Sequence, residues 1–165
     1  FGATRPLKNL MSAAGAALEI SRNLRVPLEL WLSAGRTEGG GDSVLAAVQE
    51  MLSGLPHVTL KLNGWQSWPQ FRRLVGNMHL PLQPSYTESF NMVTADGIAE
   101  GVPSVVSNAI DWVPDYWKAD VDDVLAIARV GRQLLLDPRA AADGRNALKK
   151  FNTHALSAYR HYFER

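Results

Sequence analysis

The chain has 165 residues, 46% of them hydrophobic, and carries 17 Lys and Arg against 16 Asp and Glu for a formal net charge of +1. That is enough apolar material for one domain with a substantial core, and it lacks the bulk basic excess that argues for nucleic acid. Cysteine is absent, which excludes disulfides and thiolate metal sites; no apolar run approaches the ~20 residues of a bilayer span, and a reducing, cytoplasmic setting is the simplest fit.

Phe1-Gly-Ala reads as the tail of a strand already under way, with no initiator Met and without the basic start and long apolar core of a signal peptide. The expectation is a domain of a longer protein, its C-terminal half. After Pro6, the helical spacing of Leu10, Ala14, Ala17 and Leu18 predicts a helix within 7–23. Lys8 and Asn9 fall in its first turn, where a cation opposes the helix dipole unless an anion binds there. Residues 26–32 read as a buried strand ending in Ser33-Ala-Gly-Arg36, with Arg36 either aimed at a cleft edge or solvated. Gly39-Gly-Gly41 is a flexible loop, and Asp42 or Ser43 is the candidate cap of a helix over 44–53. Gly54 and Pro56 close that helix. A strand over 58–62, the loop Asn63-Gly-Trp-Gln-Ser-Trp-Pro69, a helix over 71–75 and a strand over 78–82 follow.

The next stretch organises the rest. Pro84-Ser85 makes a turn, a polar loop opens a helix near Asn91, and Gly101 followed by Pro103 stops it before a strand over 104–107. Strand, loop, helix and strand within about 30 residues make a βαβ unit. Its loop and helix N-terminus form a ready anion site, because free N–H groups and the helix dipole point the same way. Residues 108–118 hold Trp112, Tyr116 and Trp117, either a partner or acceptor surface or core at the sheet edge. Asp120-Val-Asp-Asp123 caps a helix over 124–136, and Asp137-Pro138 breaks it. A long terminal helix covers 139–165, with a possible interruption near Gly144 and with Tyr159, Tyr162 and Phe163 near its end. Strands alternate with helices about six times, which predicts one α/β domain over 1–165, a doubly wound parallel sheet of about six strands in the Rossmann-like manner.

Pro84-Ser85, Glu88-Ser-Phe90-Asn, Asp96 and Gly101-Val-Pro103 together resemble the donor-sugar motif of retaining glycosyltransferases of the GT-B fold, the group 1 or family 4 set. That pattern has an acid, seven residues and a second acid, ending in Gly-x-Pro; here Asp96 stands where the family usually has Glu. The resemblance runs from Arg5 to about Ser107. It implies the nucleotide-sugar-binding, C-terminal half of a GT-B enzyme, with an N-terminal acceptor domain absent from this chain. Its substrate would be a nucleotide-diphosphate sugar, and a carbohydrate, lipid or protein acceptor would come through the other domain. It further implies Arg5 and Lys8 as phosphate ligands in place of a metal, with no other cofactor, and Glu88 on sugar hydroxyls. Phosphate or sugar oxygens would meet the helix start around Ser89, Phe90, Asn91, Met92 and Val93, and Asp96 would meet the ribose diol. The backbone at Gly64-Trp65 would lie at the base, with Trp65 either stacked on it or simply packed. The bland alternatives are a surface Arg and Lys, a solvated Glu88 and a solvated or ion-paired Asp96. His57 and His79 read as structural, and four scattered His without a His/Cys/acid cluster make a metal site improbable. A non-catalytic GT-B-like binding or assembly module is the competing class, supported by Asp96. A nucleotide-sugar 2-epimerase would need several His and acids in the cleft, which the sequence does not offer.

Overall fold

The computed structural model describes residues 2–164; Phe1, part of the expected strand tail, and Arg165 lie outside them. Two parallel pairs of strands stand in place of the six-stranded sheet. β1 (Leu28–Ser33) pairs with β2 (Val58–Asn63) in register from Leu28 opposite Val58 to Ser33 opposite Asn63. β3 (Leu82–Gln83) pairs with β4 (Val105–Val106). Two further bridges, Thr4 to Thr37 and Val106 to Lys118, extend neither ladder into a strand.

The shortness of the β3–β4 ladder has a local cause. The expected strand over 78–82 contains Pro81, which has no N–H to donate; Pro81 accepts from the Val105 amide, and pairing starts only there. Ser104 and Ser107, expected inside the last strand, lie outside β4 and are buried.

The helices follow the apolar periodicity closely. α1 (Leu10–Leu24) begins later than expected because Pro6–Lys8 forms its own 3-10 turn, ended by Asn9 in the left-handed backbone at φ 55°. Ala13, Ala14, Ala16, Ala17 and Ile20 bury one flank of α1, and these small side chains let it serve two cores at once. Ala14 packs with Leu32, Val48 and Leu52 under the β1–β2 pair. Ala16 and Ile20 pack with Val105, Val106, Trp117 and Ile127 in the larger core.

α2 (Gly41–Leu52) covers β1 and β2. α3 (Trp68–Gly76) starts earlier than expected, because Ser67 and Gln70 form a capping box and Pro69 occupies the first turn. α4 (Met92–Ala99) is capped by the Asn91 side chain, which accepts from the Thr94 amide at 2.9 Å. α5 (Val124–Leu136) has the expected bounds, with Asp123 accepting from the Ala126 amide.

α6 (Ala140–Phe163) runs unbroken through Gly144. Gly144 is there for packing: a Cβ on it would lie 2.5 Å from Cη2 of the fully buried Trp117. The open question over residues 108–118 resolves toward core, since Trp117 is buried and Trp112 and Tyr116 pack against the same cluster.

Candidate donor site

The segment from Thr4 to Lys8 runs between the loops that leave β1 and β3. On one side the Thr4 amide donates to Arg36 O and the Glu38 amide donates to Thr4 O, at 2.9 and 2.8 Å. On the other, the Tyr86 amide donates to Leu7 O at 2.9 Å. Gly41 makes the first seam possible, since a Cβ there would sit 2.0 Å from Thr4 O. The βαβ loop is thereby held against the first helical turn.

At that meeting point Lys8 Nζ donates to Glu88 Oε1, and the two side chains are only 14% and 8% exposed. The same carboxylate oxygen accepts from Asn91 Nδ2 at 3.0 Å, and Asn91 Nδ2 also reaches Gln83 Oε1 at 3.3 Å. Lys8 therefore meets its anion within the chain. Asn91 holds the αL backbone (φ 64°) that opens α4 while its side chain ties the helix start to Glu88. Because Asn91 already satisfies the Thr94 amide, an anion at this helix start would meet Met92 and Val93. Met92 is 62% exposed there.

Arg5 sits one 3-10 turn before Lys8, whose amide donates to Arg5 O at 3.0 Å. Its guanidinium lies 3.9 Å from Glu38, and its Nε is buried without a hydrogen-bond partner among the described residues. Arg36 turns to solvent, paired with Glu38 at 2.5 Å. Ser89 is exposed. The Phe90 ring stacks on Trp112 at 5.1 Å and lies 5.1 Å from Phe151, and Trp112 Nε1 donates to Phe90 O. Phe90 thus anchors the loop to Phe151 of α6 through its ring and to Trp112 through both its ring and its carbonyl.

Gly64 and Trp65 follow β2. The Gly64–Trp65 backbone lies so close to Gly35 that a Cβ on Gly35 would be 2.5 Å from the Trp65 amide nitrogen. The Trp65 indole is unpacked, 84% exposed. Asp96 is not solvated, and among the described residues it has no ion pair: it is 8% exposed, and its Oδ1 accepts from Trp68 Nε1 at 3.1 Å. Sequence reading passes over Trp68, because its partner lies 28 residues away on another helix. The only local sign is its place at the first turn of α3, directly after the β2 loop. Among the described residues no group of three or more His, Asp or Glu is placed to hold a metal ion, and no helix is long and apolar enough to cross a membrane.

The α/β fold is similar to the GT-B fold of several solved structures. Anabaena HepE, solved with UDP and glucose, superposes with a TM-score of 0.71 at 16% identity, over 96% of this chain and 47% of that one. The pneumococcal O-GlcNAc transferase GtfA, solved with UDP and GlcNAc, gives 0.65 at 15% identity over 98% and 34%. A UDP-forming α,α-trehalose-phosphate synthase from Burkholderia xenovorans gives 0.69 at 12% identity over 98% and 41%. The chain therefore spans less than half the length of each of these proteins. No protein-family model and no curated protein sequence matches the chain.

Proposed function

We propose that residues 1–165 are the donor-binding domain of a retaining, family 4-type glycosyltransferase that takes a nucleotide-diphosphate sugar. The observation that carries this reading is the Lys8–Glu88–Asn91 cluster at the mouth of α4. It gathers the cation expected at the phosphates, the acid expected at the sugar and a helix start into one hydrogen-bonded unit. The fold shared with enzymes solved with UDP and a sugar supports the same reading.

In this mechanism the nucleoside diphosphate is the leaving group, so negative charge grows on its phosphates as the glycosidic bond breaks. Lys8 exchanges Glu88 for a phosphate oxygen, and Arg5 and the Met92 and Val93 amides add to the counter-charge in place of a metal. Fixed donors aimed at developing charge stabilise the transition state more than the ground state. Glu88, released from Lys8, accepts from sugar hydroxyls and orients the anomeric carbon. The carbohydrate, lipid or protein acceptor would be brought by an N-terminal domain in a cytoplasmic enzyme. Residues 1–165 alone would bind donor and transfer little.

The test is to follow amide chemical shifts while titrating UDP, GDP and ADP separately. Half a site should bind with Kd of ~0.1–1 mM. Shifts clustered at Lys8, Trp65 and 91–93 with one nucleotide are expected, and they would also name the base. No shift with any of the three at millimolar concentration would overturn the reading in favour of a non-catalytic assembly module.

A further inference from the structure

We propose that Trp68 is the wall on which the nucleobase stacks, and that Asp96 is its positioning residue rather than a ligand of the ribose; this rests on the donor-site reading above. A surface tryptophan at a helix start would ordinarily sample several rotamers, and a ligand that stacked on it would have to freeze them. Trp68 is already fixed. Its indole N–H is spent on Asp96 Oδ1 at 3.1 Å. One ring face is covered by the Arg72 guanidinium, 5.0 Å from the ring centroid. Arg72 is in turn held by an ion pair with Glu100. The residue nevertheless remains 58% exposed, so edge and back are engaged while apolar ring surface is left to solvent.

The two helices make this arrangement rigid. Trp68 and Arg72 are one turn apart on α3, and their partners Asp96 and Glu100 are the same four residues apart along α4 and its C-cap. These two contacts tie the first turns of α3 to α4. The helices also pack closely elsewhere: Gly97 leaves room for Val75, whose Cγ1 would lie 3.4 Å from a Cβ at 97. α4 begins at the Lys8–Glu88 cluster, and α3 begins in the loop that leaves β2. Trp65, three residues before Trp68 and 84% exposed, stands in the same loop.

The same geometry takes Asp96 away from the ribose. A carboxylate that grips a diol must present its oxygens to the ligand, yet Asp96 is 8% exposed and one oxygen already serves the indole. Nucleobases stack on aromatic side chains whatever their hydrogen-bonding edge, because every base offers a π face. An aromatic wall thus supplies affinity for the base that the contact to ribose would otherwise give.

Calorimetric titration of the protein with UDP, GDP, ADP and inorganic pyrophosphate tests this, on the unmodified chain and on Trp68→Ala, Trp68→Phe and Asp96→Asn. Trp68→Ala should weaken the preferred nucleotide roughly tenfold, within the range that loss of one base–aromatic stack produces, and leave pyrophosphate unchanged. Trp68→Phe should restore most of the loss, and Asp96→Asn, which keeps an acceptor for the indole, should change little. The 2′,3′-dideoxy form of the preferred nucleotide should bind as well as its parent. Equal nucleotide binding by a folded Trp68→Ala, or a large loss with the dideoxy form, overturns the inference while the phosphate site stands. Failure of both nucleotide and pyrophosphate to bind the unmodified chain removes the donor site itself.

Discussion

Lys8 and Glu88 are both nearly removed from water and satisfy each other, with Asn91 completing the carboxylate's partners. A buried pair of this kind adds little over an apolar pair, but deleting one member strands the other charge. Lys8→Met should therefore lower stability by about 3 kcal/mol in urea denaturation, and the double variant Lys8→Met/Glu88→Gln should recover most of it. An unchanged midpoint for the single variant would mean that Glu88 finds water on its own. Sequence alone singled out each residue separately, Glu88 through the motif around it and Lys8 as an awkward cation at a helix start. Their direct contact was not legible, since 80 residues separate them. Asp96 was harder still: a carboxylate read by local pattern belongs on the surface, and only the packing of α3 against α4 brings Trp68 over it.

At the scale of elements, helix signals were read well because they are local: Asp123 as a cap, Asp137-Pro138 as a break, Gly101 as a stop with φ 85°. Gly144 misled because a helix-breaking propensity of ~1 kcal/mol is overridden by tertiary fit. Gly144→Ala gains helix propensity yet drives a methyl into the Trp117 ring. The expected result is a net loss of roughly 1–2 kcal/mol, as overpacking outweighs propensity, read as a lower melting temperature.

The α5–α6 junction carries a pH signature. The Arg139 backbone amide, reinforced by its guanidinium, holds the Asp137 carboxyl below the ordinary carboxylate range. With its value depressed in the folded state, the folded chain binds fewer protons. The contribution is therefore present above the unfolded-state value and is lost as pH falls through the folded one. Asp137→Asn should be less stable than the parent at neutral pH, and the gap should close in acid. A gap that persists in acid would assign the effect to packing.

For the molecule as a whole, strands were the poorly legible part. Short apolar runs such as 78–82 and 104–107 promise full strands, but the ladder is only two residues long on each side, starting just after Pro81, which has no N–H to donate. The β1–β2 pair has a small core of its own, and Lys61, Leu62 and Glu29 are exposed along it. Few buried contacts around backbone hydrogen bonds mean cheap local opening. Amide exchange should accordingly be faster in β2 than in α5, which lies on the large core through Ile127, Ala128 and Leu134. Equal protection in both would make the molecule a single cooperative unit. The fit of Trp117 over Gly144 also bears on how such a chain can drift. Neither position can change first without cost, since a side chain at 144 collides with the indole and a smaller residue at 117 leaves a void. Lineages that lose the tryptophan should be those in which position 144 becomes free to vary, so the two residues are inherited as one unit.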